Sequence, residues 1–181
     1  MQLGAFFIKA MNQKMVDMLA GGDLRSIGKV EQLLSLIKSQ DDFDELFQLL
    51  SSPVRIVAMR AADAIEKITL LHPAFLEKHK TEILRLLNLA QHIEFKWHLA
   101  LLVSRIPLNI EELRSVWTKL KTWATDTTES KIVRVNALQA MTELSRESNI
   151  LRAELETLLQ KIEKEGIPSL NARIRKLKIT R

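Results

Sequence analysis

Pro53-Val54-Arg55-Ile56-Val57-Ala58-Met59-Arg60-Ala61-Ala62 and Val133-Arg134-Val135-Asn136-Ala137-Leu138-Gln139-Ala140-Met141 are two copies of one pattern. In each, an apolar residue and an arginine are followed three residues on by a small residue, Ala58 after Arg55 and Ala137 after Arg134. The same step joins Leu24-Arg25 to Gly28, and weaker copies pair Trp97 with Ala100 and Ser169 with Ala172. The five small residues stand 30, 42, 37 and 35 positions apart. A period in this range marks a protein of stacked repeats, in which one supersecondary unit is used again and again.

The composition agrees with helices as the repeating element. Leu, Ala, Glu, Lys, Arg and Gln abound, and all are strong helix formers; there are only 5 glycines, 4 prolines and no tyrosine. A chain of 181 residues suits one domain and buries enough surface to need neither metal nor disulfide. It has no cysteine, which fits a reducing, cytoplasmic setting. The apolar start, Ala5-Phe6-Phe7-Ile8, follows no basic segment and is interrupted by Lys9, Lys14 and Asp17, so it does not read as a signal peptide. Phe7, Met11, Met15, Met18 and Leu19 instead fall on one helical face. No apolar run approaches the roughly 18 residues of a membrane span.

Punctuation along the chain predicts ten helices in five antiparallel pairs. The first pair is about 3–20 and 23–39, split by Gly21-Gly22 with Asp23 as N-cap. The second is about 41–50 and 53–71, with Ser52 as cap, Pro53 at the first helical position and His72-Pro73 as the stop. The third is about 74–90 and 92–106, ended by Pro107. The fourth is about 110–124 and 129–147, with Asn109 and Glu112 in capping-box spacing. The fifth is about 150–165 and 168–179, separated by Gly166 and opened by Pro168. Links this short join antiparallel neighbours, and none is long enough to divide residues 1–181 into two domains.

The two decisive stretches resemble the second helix of a HEAT unit, the repeat closely related to armadillo. The resemblance implies an α-α superhelix, a solenoid of about five HEAT-like antiparallel helix pairs whose second helices line the concave face. It also implies a scaffold that binds other proteins, and sometimes nucleic acid. The third copy departs from the pattern, with Trp97 where the arginine stands elsewhere, and the last has Ser169 there.

Charge gives that layer a sign. The second helices hold 16 basic and 8 acidic residues, and the rest of the chain 11 and 14. The overall excess of +5 matches the segment from Gly166 to Arg181, which has five basic residues and no acidic one. A positive inner face would attract an acidic peptide or a phosphate backbone. Arg25, Arg55, Arg60, Lys96, Lys131, Arg134, Arg173, Arg175 and Lys176 are the candidate contacts, with Trp97 as the aromatic anchor. Two readings of the repeat arginines stay open: contact with a partner, or bonds to neighbouring repeats and helix-end carbonyls. Leu170, Ile174 and Leu177 give the last helix an apolar face, which leaves its basic side outward. Trp117, flanked by Leu113 and Leu120, reads as core.

Signals for chemistry are poor. Gly22 to Gly28-Lys29 has the wrong spacing for a phosphate loop and Val30 where a hydroxyl must hold magnesium. His72, His79, His92 and His98 have no zinc spacing, and no nucleophile has a partner in sequence. The acidic run Asp41-Asp42-Phe43-Asp44-Glu45 opens a helix, where carboxylates meet the positive end of the dipole. One catalytic resemblance is to the HEAT-like alkylpurine DNA glycosylases, through Thr122-Trp123-Ala124-Thr125-Asp126 and the Lys131-Ile132-Val133-Arg134 that follows. The expectation is therefore a non-enzymatic scaffold without cofactor that binds a protein partner. Nucleic-acid binding is the alternative and base excision a weak third.

Overall fold

The structure, a computed structural model, describes residues 13–20 and 30–179. Asp23, Leu24, Arg25, Gly28, Lys29 and the Gly21-Gly22 break lie outside the described residues. What is described is all α, without a strand. Helix α1 is described over 13–20; α2 spans Val30–Leu34, α3 Gln40–Gln48 and α4 Arg55–Leu71. Then come α5 Lys80–Leu89, α6 Ile93–Val103, α7 Ile110–Thr125, α8 Lys131–Leu144, α9 Asn149–Glu163 and α10 Pro168–Ile179. No helix among the described residues is long and apolar enough to cross a membrane. The chain divides into two compact units, Met1–Phe75 and Leu76–Arg181.

In the first unit, α2 and α3 both pack on α4. The core is built from Met15, Leu19, Leu33, Phe43, Leu46, Val57, Ala61 and Ile65, all without exposed surface. Phe43 meets the Phe75 ring at 5.3 Å, and Gln40 donates to the Phe75 carbonyl at 3.2 Å. The acidic run does open a helix. Ser39 caps α3 through its hydroxyl, which accepts from the Asp42 N–H, while Asp42 reaches back to the Ser39 N–H at 3.0 Å.

Two boundaries in this unit move from expectation. The helix expected to run to 39 ends at Leu34, because the chain turns with Leu36 N–H on the Leu33 carbonyl and Ser39 is needed as the next cap. Helix α4 starts at Arg55 instead of Pro53. The Ser52 hydroxyl accepts from Val54 N–H at 3.2 Å and makes a turn, so Val54 caps the helix without a side-chain bond.

The second unit has two layers, with first helices α5, α7 and α9 in one and second helices α6, α8 and α10 in the other. Helix α8 is its centre, packing on α6, α7, α9 and α10. Leu99, Ala100, Leu120, Val133, Ala137, Leu138, Met141, Leu155 and Leu170 are buried between the layers. Each large aliphatic chain there contributes about 1.5–3 kcal/mol by leaving water. Small residues at Ala100, Ala137 and Ala140 let the helices approach. Residues 74–79, expected to be α-helical, form a 3-10 segment, Pro73–His79, that passes into α5. Asn109 and Glu112 form the expected capping box on α7. Gly166, with φ of 71°, makes the left-handed turn between α9 and α10 that a side chain would strain.

Within the second unit, polar contacts tie one repeat to the next at a nearly constant step. In the first layer, Lys80 pairs with Glu112 at 2.5 Å and Lys121 with Glu154 at 2.7 Å. In the second layer, Lys96 pairs with Glu129, and Arg134 with Glu165 at 2.8 Å. Arg173 donates to the Gln139 side chain at 2.7 Å. These partners stand 31 to 34 residues apart, one repeat along the chain.

Candidate functional site

Helix α8 shows two faces. Val133, Arg134, Ala137, Leu138 and Met141 point inward, and all are at most 1% exposed. Lys131, Ile132, Val135 and Asn136 stand on another face and line a groove. Helix α10 repeats this: Leu170, Ile174 and Leu177 are buried, while Ser169, Ala172, Arg173 and Lys176, at helical spacing, complete the groove. Trp97 of α6 lines the same groove, half-buried, its ring stacked on His98 with centroids 3.7 Å apart. The groove encloses about 690 Å³ and lies wholly within the second unit's second-helix layer.

The groove thus gathers Trp97, Lys131, Arg173 and Lys176 from the sequence candidates. Among the described residues its lining has three cations, no carboxylate and an apolar floor of Trp97, Ile132, Val135 and Ala172. Arg173 is held by Gln139, a neutral amide, so it is oriented without losing its charge. Ile132 is 44% exposed, an apolar side chain facing water beside these cations. The sequence reading missed Ile132 and Val135 as site residues, although their spacing on an otherwise polar face was the available signal. Ser169 and Ala172 entered it only as repeat markers.

The other candidates stand elsewhere. Arg134 is 1% exposed; its Nε donates to the Ala124 carbonyl at 2.9 Å, and one Nη reaches both oxygens of Glu165 at 2.8 Å. Arg60 is 2% exposed and donates to the Leu19 carbonyl at 2.6 Å. Both guanidinium groups lie inside the fold and serve it, so neither presents itself to a partner. Lys96 is committed to Glu129 and lies 5.9 Å from the centre of the Trp123 ring. Arg55 is exposed in the first unit, Arg175 is exposed on α10 without lining the groove, and Arg25 lies outside the described residues. Lys96, rather than Trp97, is the counterpart of Arg134: both are fourth in their helix, and both reach a glutamate that precedes the next second helix.

Trp117 and Trp123 are core residues, each 5% exposed, and Trp117 donates to Glu154 at 3.0 Å. Asp126, which base excision would require, is exposed in the turn before α8. The Thr128 hydroxyl and N–H donate to its carboxylate at 2.6 and 2.8 Å and hold its pKa below the usual aspartate value. It serves its own turn. A second groove, about 880 Å³, lies on the first-helix layer between α7 and α9. There Glu154 takes both the Lys121 ammonium and the Trp117 N–H, so Lys121 is already neutralised.

A family model for a HEAT repeat domain matches residues 22–179. The chain belongs to the HEAT-repeat family, whose members are helical scaffolds that typically mediate protein interactions. No curated protein and no solved structure matches it.

Proposed function

We propose that residues 1–181 act as one HEAT-repeat domain, a non-enzymatic scaffold that docks a protein partner on its second-helix layer. A cytoplasmic setting, the expectation from a cysteine-free chain, is part of the proposal. The observation that carries it is the groove between α6, α8 and α10. Trp97 and Ile132 are partly exposed beside three cations, and an aromatic anchor with a polar rim is the usual anatomy of a binding hot spot. Arg175, exposed on α10, is proposed as an outlying contact of the groove, and Arg55, exposed in the first unit, as a contact of that unit by itself.

The test is a photo-reactive amino acid placed at Ile132, with a second at Ile150 on the other layer. Irradiation of cells expressing the protein should give protein adducts at Ile132 that disappear with Trp97→Ala. Adducts confined to Ile150 would overturn the reading. Nucleic-acid adducts at Ile132 would favour the second reading, which rests on the same three cations. Binding to short DNA should then drop by orders of magnitude between about 50 and 200 mM salt.

A further inference from the structure

We infer that the α6/α8/α10 groove takes a short acidic segment of the partner, with an apolar side chain set beside its carboxylates. The inference rests on the reading of this groove as a protein-docking face and specifies what docks there. Charge complementarity carries it. Beside the groove, three cations are matched by carboxylates of the fold: Lys96 by Glu129, Arg134 by Glu165 and Lys178 by Glu163. Within it, Arg173 is fixed by a neutral amide, and no carboxylate lines it among the described residues. An arginine that is oriented and still charged suits a carboxylate, which it can grip through two N–H groups.

The floor supplies the second requirement. Trp97, Ile132 and Val135 form an apolar surface that a purely anionic ligand would leave facing water. An aliphatic or aromatic side chain would cover it, while Asn136 and Ser169 offer an amide and a hydroxyl to a peptide backbone. A nucleic-acid strand fits less well. Sequence-tolerant strand binding uses successive aromatic platforms along a cationic track, and among the described residues Trp97 alone of the aromatics lines this groove.

The test selects displayed random short peptides on the intact protein and measures the survivors against Trp97→Ala, Arg173→Gln and, as control, Ile150→Ala. All are judged alongside the melting curve of each variant. Peptides enriched in Asp or Glu next to Leu, Ile, Phe or Trp are expected. Trp97→Ala should weaken them roughly tenfold or more, Arg173→Gln should weaken them and Ile150→Ala should not. If Trp97→Ala does not fold, Ile132→Asp replaces it with the same expectation. Groove-dependent peptides that are basic or uncharged would overturn the inference and leave the docking reading standing. Peptides that bind the wild type and both groove variants equally would overturn the docking reading itself. A single-stranded oligodeoxythymidine that binds more tightly than the selected peptides, and loses affinity with Arg173→Gln, would replace the peptide by nucleic acid.

Discussion

Arg134 is as deeply buried as the alanine three residues beyond it. A guanidinium in that position is tolerable only if its donors are met, and the Ala124 carbonyl and both Glu165 oxygens meet them. Removing it leaves the Ala124 carbonyl unmet, while Glu165, a quarter exposed, is free to turn to water. Arg134→Ala should therefore cost about 1–3 kcal/mol in urea unfolding. Arg85, whose pair with Glu82 lies on the surface, should leave the midpoint nearly unmoved when changed to alanine. The sequence showed Arg134 at a repeat position but could not tell a buried arginine from an exposed one. Spacing reports which helix face a residue shares, and both kinds of arginine can stand on the face that meets a neighbouring repeat. The same limit hid the Lys96–Glu129 pair, since the motif step from Trp97 to Ala100 placed the equivalence one residue too far along.

At the scale of elements, caps were legible where side chain and spacing coincide, as at Asn109 and Glu112. Ser39 escaped because the helix before it was expected to run through it. Ser52, expected as a cap, makes a turn instead, because a hydroxyl ahead of proline fits either and only the Val54 N–H decides. Asn109→Ala should cost about 1 kcal/mol, and Asn109→Gly a few tenths. The Ser39 box adds a dependence on pH. Burial works against the Asp42 charge, but the N–H groups of Lys38 and Ser39 and the Ser39 hydroxyl outweigh it and hold the pKa below the ordinary 3.8. A carboxyl depressed in the folded state stabilises above its unfolded pKa and loses that effect as pH falls through its folded one. The stability difference between wild type and Asp42→Asn should be fully present at neutral pH and shrink as the pH is lowered below 3.8, which thermal melts across that range will show.

For the whole molecule, the repeat period announced the family, and the residues matched by the family model, 22–179, include all but the first twenty-odd and last two residues. The groove was legible in part, as the second-helix charges and the aromatic anchor Trp97. Its position needed the structure, because burial removed Arg60 and Arg134 from the candidates and the fold brought Trp97 of α6 together with Arg173 of α10. The central claim is that this groove, and not the larger one between α7 and α9, is where a partner docks. The three tryptophans make that claim measurable, since each indole N–H gives its own signal in a two-dimensional NMR spectrum of the nitrogen-labelled protein. On titration with a selected acidic peptide, the Trp97 indole should shift together with the amides of Ile132, Val135 and Arg173. The Trp117 indole, bonded to Glu154, should stay in place. A shift of the Trp117 indole with Leu113 and Ile150, while Trp97 stays still, would contradict the account.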